Sequence, residues 1–318
     1  MRRLVVTALL AVLAAAAVPS GASAASYGIS DQQPTTFTNP LYKPLKLKYA
    51  RYVSPYDVVS DPVQLQRLAT WYVAALGAKQ RIVVSFEHSR TAGKEQTLPT
   101  VGQYATAMRQ FKKLFPKIKE INTWNEVNRC QTGGRTEGQP KGICKAAKGS
   151  KVLKGYYGVS RKVFKGSKYK IIPLNVLDEK DPRPAIAYVK AFRKIAKPLP
   201  KIWGIHNYSD TNRFSQKRTK KIIKAIGPKG EIWLLETGGQ LHLGKKNFGE
   251  ATAAKALKCM FKIGKIKRIK RAYIYQFNAF NGPQSTESYF DAGLIGPDGT
   301  TTRKGYEVVR RHSSKGGC

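Results

Sequence analysis

Two glutamates stand at the ends of the chain's most chemically suggestive stretches. In IKEINTWNEVN (118–128) a β-prone segment runs past Trp124 into Asn125 and Glu126. In EIWLLETGG (231–239) an apolar run reaches Glu236 and then Gly238 and Gly239. A carboxylate placed where an apolar strand leaves a core needs a partner or a task. As a pair, one supplies a proton while the other acts as nucleophile or base. As strangers, they are two strand-end acids in ion pairs, which 57 Lys and Arg against 19 Asp and Glu make easy to form. The fold decides between these by bringing them together or keeping them apart.

The chain alternates short apolar strands with amphipathic helical stretches. Strands are expected at 27–30, 46–53, 81–88, 120–126, 169–176, 201–208, 231–237 and 271–277. The stretch 61–78 opens on Asp-Pro and closes near Gly77, as a capped helix does. Residues 100–115, 185–196 and 251–264 carry apolar side chains at three- and four-residue spacing. Strands alternating with helices imply a parallel sheet covered on its faces. Eight such units, without GxGxxG after the first strand, favour an α/β fold of the (β/α)8 TIM-barrel type over an open dinucleotide-binding sheet. The first βα connection is short and proline-containing, leaving little room for a full helix. No linker or internal repeat divides residues 25–318, so one domain is expected.

In a parallel barrel every strand C-terminus points to one face, and that face carries the chemistry. Glu126 then ends strand four and Glu236 strand seven. Arg51 ends strand two, His88 strand three and His206-Asn207-Tyr208 strand six, while Gln276 and Asn278 follow strand eight. Polar groups and rings converging on one rim suit a sugar. Two carboxylates across the mouth suit cleavage of a glycosidic bond.

WNE at 124–126, HNY at 206–208, ETGG at 236–239 and Arg51 in ARYVSPYD together resemble the clan A retaining glycoside hydrolases, which are (β/α)8 barrels. The resemblance implies that Glu126 is the acid/base and Glu236 the nucleophile. It implies that Asn125 bonds a sugar 2-hydroxyl, that Arg51 and Tyr208 orient Glu236, and that His206 and His88 line the cleft. Arg51 would keep Glu236 ionised, and the charge of Glu236 would keep Glu126 protonated. Many members of the clan carry a Trp under the sugar at strand eight, where this chain has Tyr275, Gln276 and Phe277. The implied substrate is a poly- or oligosaccharide, neutral or anionic, and no cofactor or metal is needed. Alternatives are a non-catalytic carbohydrate- or cell-surface-binding barrel, or a binder of anionic polymers.

Arg2-Arg3, the apolar run LVVTALLAVLAAAAV and ASA at 22–24 read as a signal peptide (1–24) cleaved after Ala24, making a secreted protein with no membrane span. Four cysteines in an exported chain suggest two disulfides, with Cys130–Cys144 and Cys259–Cys318 the favoured pairs. CxxC spacing is absent, which argues against zinc. The net charge of +38 is spread over many short basic clusters such as 216–224 and 262–271. These lack the interleaved aromatics of a nucleic-acid surface, so no specific nucleic acid is expected. Self-repulsion of so much charge favours a monomer. Trp124 is expected in barrel packing, and the Asn207-Tyr208-Ser209 sequon is read as accidental.

Overall fold

The computed structural model describes residues 25–130, 138–279 and 289–314. The expected signal peptide and Cys318 lie outside the described residues.

The strands are β1 (Ser26–Ser30), β2 (Tyr49–Pro55), β3 (Arg81–Glu87), β4 (Glu120–Asn122), β5 (Lys170–Ile172), β6 (Asn175–Leu177), β7 (Ile202–His206), β8 (Glu231–Thr237), β9 (His242–Leu243), β10 (Lys246–Asn247), β11 (Ile269–Ile274) and β12 (Phe290–Asp291). Nine of them form one sheet in the order β5-β4-β3-β2-β1-β11-β8-β7-β6, and its neighbours are parallel. Its two ends, β5 and β6, are consecutive halves of a single stave, separated by Pro173 and Leu174. Proline has no N–H to donate to a ladder, so regular pairing stops there. The backbone still bonds both sides of the break: Thr123 N donates to Ile172 O at 2.8 Å and Gly204 N to Leu174 O at 3.1 Å. With β5 and β6 counted as one stave, the sheet closes into the eight-stave barrel expected from the alternation.

The helices are α1 (Pro62–Gly77), α2 (Val101–Leu114), α3 (Lys141–Cys144), α4 (Ala146–Val163), α5 (Arg183–Ile195), α6 (Tyr208–Asn212), α7 (Lys217–Ile226), α8 (Gly249–Ile263) and α9 (Lys304–Ser314). Their starts follow from capping chemistry. Asp61 accepts from Val63 N and Gln64 N ahead of Pro62, and Thr100 with Gln103 forms a capping box on α2. Between β1 and β2 there are only 3-10 turns at Pro34–Phe37 and Lys43–Leu45, so the first unit lacks an α-helix. A helix such as α7 shows where the charge goes. Thr219, Ile222, Ala225 and Ile226 are buried, while Lys217, Lys220, Lys221 and Lys224 stay exposed. Among the described residues no helix is long and apolar enough to cross a membrane.

The barrel interior is layered. Toward the strand N-termini, Arg271 pairs with buried Glu120, which Arg81 also reaches at 2.6 Å. The Arg271 guanidinium lies 4.0 Å from the Tyr49 ring centroid and 3.9 Å from that of Trp233. Above this plug Val83, Ile172, Ile202, Leu235 and Tyr273 make an apolar layer. The opposite end, where the strands finish, holds the polar groups described next.

Candidate active site

Arg51 is the hub. It sits inside β2, which continues to Pro55, so it reaches the mouth from the barrel interior and not from a strand end. The side chain is fully buried. Its Nε donates to Ser85 Oγ at 2.8 Å, its Nη1 to Ser30 Oγ at 3.0 Å and to Glu236, and its Nη2 to Asn125 Oδ1 at 2.7 Å. One guanidinium thus fixes the residue before Glu126 and pairs with Glu236 itself. Tyr208 Oη donates to Glu236 Oε2 at 3.2 Å. Burial, followed by the Glu236 charge, pushes the Tyr208 phenol well above its ordinary range, so it remains a donor.

Glu126 lies four residues past the end of β4, which stops at Asn122 and not, as the sequence pattern implied, at Glu126 itself. Its φ is +39°, in the left-handed region that a side chain adopts only at a cost of about 1–3 kcal/mol. Asn175 at the start of β6 holds this turn. Its Oδ1 accepts from Glu126 N at 2.6 Å, and its Nδ2 donates to Asn122 Oδ1 at 2.7 Å and Asn125 Oδ1 at 2.9 Å. The turn aims the Glu126 carboxylate at His206, whose Nδ1 is 2.9 Å from Glu126 Oε1 and 3.6 Å from Glu236 Oε2. The other oxygen, Oε2, faces Arg129 Nη1 at 3.1 Å. Glu126, His206 and Glu236 offer side-chain N and O atoms that all lie within 4.8 Å of one another, and all three residues are buried. By type they would suit a divalent cation, but a guanidinium already lies against each carboxylate, so Arg51 and Arg129 supply the positive charge here.

The expected ionisation of Glu126 is corrected by these contacts. Burial raises its pKa, but Arg129 and then His206 outweigh burial and hold the carboxyl down to about 2. The Glu236 charge was expected to keep Glu126 protonated; two nearer cationic or donor groups overrule it.

The remaining predicted residues divide. Asn125 is in place beside Arg51, with its Nδ2 3.4 Å from Glu87 Oε2. His88 has its Nδ1 2.9 Å from the Ser89 carbonyl, and its immediate neighbour Glu87 is the strand-three residue that reaches Asn125. Asn278 spends its amide on Asp31 Oδ2 and Thr36 Oγ1, at 3.2 and 2.7 Å. Gln276 is buried at the mouth, after a cis peptide bond from Tyr275. Trp124 is fully buried, stacks on Tyr156 at 5.2 Å and bonds Gln139, so it packs the scaffold. Tyr208, Tyr275 and Phe290 make an aromatic cluster beside Glu236, with centroid separations of 5.3–6.4 Å. Asn207 of the sequon is fully buried.

Sequence reasoning missed Asn175, Glu87 and Arg129. The first two lie at or near strand ends, a signal that was available; Arg129 lies in the loop just before Cys130. That loop is pinned by the expected Cys130–Cys144 disulfide, with Cα atoms 5.0 Å apart. Cys259 forms no disulfide with any described residue, and its expected partner Cys318 lies outside them.

No protein-family model matches the sequence, and no curated protein matches it. Solved structures do match the fold. A family 39 glycoside hydrolase from Bacteroides cellulosilyticus aligns with a TM-score of 0.63 at 14% identity, over 92% of this chain and 64% of its own. The chain therefore spans about two thirds of that enzyme. Xylanase B from Clostridium stercorarium aligns at 0.63 with 13% identity, covering 90% of this chain and 96% of its own. A psychrophilic family 10 endo-beta-1,4-xylanase gives 0.64 at 9% identity over the same shares. The likeness is one of fold, a (β/α)8 barrel that these glycoside hydrolases share with this chain. Identities this low speak to the fold alone.

Proposed function

We propose that this protein is a retaining O-glycoside hydrolase acting on a poly- or oligosaccharide, with Glu236 as nucleophile and Glu126 as acid/base. The observation that carries this is the proximity of the two carboxylates at the barrel mouth, where one oxygen of each lies within 4.8 Å of the other. Retaining enzymes hold their carboxyl groups about 5–5.5 Å apart, whereas inversion needs roughly 6.5–9.5 Å to admit a water. Arg51 and Tyr208 hold Glu236 against the sugar face. Glu236 attacks the anomeric carbon as Glu126 protonates the departing oxygen, leaving a covalent glycosyl-enzyme. Glu126, now ionised, takes a proton from the water that releases the sugar. In this reading Asn125 bonds the 2-hydroxyl, and the Tyr208, Tyr275 and Phe290 rings offer faces for the sugar. The glycoside hydrolase neighbours add support at the level of fold. An exported protein fits the disulfide and the sequence signal.

The test is Glu236→Gln, which lowers kcat on a cleaved glycoside by roughly 10⁴-fold or more, the scale of losing a nucleophile. Glu126→Ala loses about 10²–10⁴-fold on poor leaving groups but spares aryl glycosides whose leaving group needs no proton. Wild-type turnover in Glu236→Gln would refute the assignment. One observation favours a second reading, a carbohydrate-binding barrel: both carboxylates are ion-paired. Saturable sugar binding lost on mutating Arg51 or Tyr208, with no turnover of any glycoside, would select it.

A further inference from the structure

Beside Glu236 the chain builds a small second sheet that the proposed chemistry does not use. After β8 ends at Thr237 the chain folds into the β9–β10 hairpin, and β12 adds to it in the order β10-β9-β12. Gly244, at φ +56°, stands in the two-residue turn between β9 and β10, where a left-handed residue lets so short a connection close. Backbone bonds tie the hairpin to its surroundings. Leu241 N donates to Asp291 O at 2.8 Å, Gly244 N to Tyr289 O at 2.7 Å and Phe248 N to Leu241 O at 2.7 Å. Asp291 itself is buried, and each of its carboxylate oxygens accepts from Arg303 at 2.9 Å. The sheet is a fixed wall.

Register decides what this wall presents. Leu243 is paired with Phe290 on one side and with Lys246 on the other, and residues directly opposed in an antiparallel pair project from the same face. Phe290, Leu243 and Lys246 therefore form one row across three strands. The row begins at the site: the Phe290 ring lies 5.3 Å from that of Tyr208, whose phenol donates to Glu236 at 3.2 Å. With neighbouring strands about 5 Å apart, the Lys246 backbone stands roughly 10 Å beyond that of Phe290. Exposure rises along the row. Phe290 is half-buried, Leu243 is 45% exposed and Lys246 is exposed, pairing with no carboxylate among the described residues. Covering Leu243 with the C–H face of a sugar ring would take apolar surface out of water. The Lys246 ammonium, a point charge on a flexible stem, can follow a carboxylate without demanding one geometry.

We propose that the β10-β9-β12 sheet is a subsite wall for an acidic polysaccharide. Phe290 and Leu243 lie against sugar rings beyond the one at Glu236, and Lys246 pairs with a carboxylate carried by the same chain. The proposal rests on the glycosidase reading for the position of the sugar at Glu236, and adds the class of substrate to it. A neutral chain keeps the apolar contacts and lacks the ion pair.

The test is calorimetric binding to the Glu236→Gln protein, which leaves the chain uncut, with two probes that differ only at C6: cellohexaose and the β-1,4-linked hexamer of glucuronic acid. The acidic hexamer should bind more tightly than the neutral one. Adding Lys246→Gln should weaken the acidic hexamer by about 2–5-fold, the range of one exposed ion pair, and leave cellohexaose unchanged. Lys246→Glu should weaken the acidic hexamer further, and Leu243→Ser should weaken both probes. Lys221→Gln removes the same charge from the outer face of α7 and should change neither. Absent binding of the acidic hexamer, equal affinity for the two probes, or no loss in Lys246→Gln would overturn the proposal. An equal loss in Lys221→Gln would overturn it too, since net charge alone would then attract the polymer. Turnover lost in Glu236→Gln, with binding unaltered by Lys246→Gln, rejects the wall alone. Turnover independent of Glu236 rejects the glycosidase reading instead.

Discussion

At the scale of single residues, the site is built by sharing. Arg51 touches Ser30, Ser85, Asn125 and Glu236, tying residues from three staves and the Glu126 turn to one guanidinium. Glu126 sits against Arg129 and His206, and this sets its response to pH. Those two contacts hold the folded carboxyl down to about 2, below its ordinary 4.5. A depressed carboxyl stabilises the fold above the unfolded value, and the contribution is lost as pH falls from about 4.5 toward 2. Tm measured against pH should therefore drop across that window more steeply in wild type than in Glu126→Gln. The main members of the site were legible because each falls in an apolar stretch that ends in chemistry: Glu126, Glu236, Arg51, His206 and Tyr208 are brought together. Asn175 and Glu87 carried only a strand-end signal, and Arg129 carried none. Their roles depend on which stave lies next to which, a tertiary fact that no local pattern carries. The expected protonation of Glu126 fails for the same reason, since Arg129 reaches back from the following loop to its carboxylate.

At the scale of elements, strand existence was readable and strand ends were not. β4 is three residues long because the chain turns away at Thr123 to raise Glu126, and Pro173 splits one stave in two. Helix α4 escaped recognition because Gly149, Gly155 and Gly158 and its lysines dilute the apolar period, although Leu153, Tyr156 and Tyr157 bury one face. The glycine pair after Glu236 has a packing cause. A Cβ at Gly238 would stand 2.1 Å from the Tyr275 carbonyl oxygen, and one at Gly239 as close to that of Ala253. The β8 exit can therefore press against both β11's end and α8. The disulfide acts on the loop that carries Arg129. Closing a loop with a sequence separation of 14 stabilises by about 3 kcal/mol in the chain-entropy view. Cys130→Ser with Cys144→Ser should lower unfolding free energy by up to about that amount in denaturant melts run without reductant. An unchanged midpoint would show that the loop does not depend on the bridge.

At the scale of the whole molecule, the two ends of the barrel divide the work. One end is a plug of Glu120, Arg271 and Arg81 between the Tyr49 and Trp233 rings; the other is the site. Removing one member of a buried ion pair strands its partner's charge and costs about 3–5 kcal/mol. Glu120→Ala should lose stability on that scale in urea unfolding. A loss below about 1 kcal/mol would mean that water reaches Arg271. The surplus of basic residues is carried by exposed helix faces such as that of α7, outside the packed interior.

The pairing of Glu126 with Glu236 is tested most directly by the configuration of the sugar first released. Proton NMR of the new reducing end, recorded before mutarotation, should show the same anomer as the bond that was cut. The inverted anomer would mean that a water fits between the two carboxylates, and would contradict Glu236 as the nucleophile.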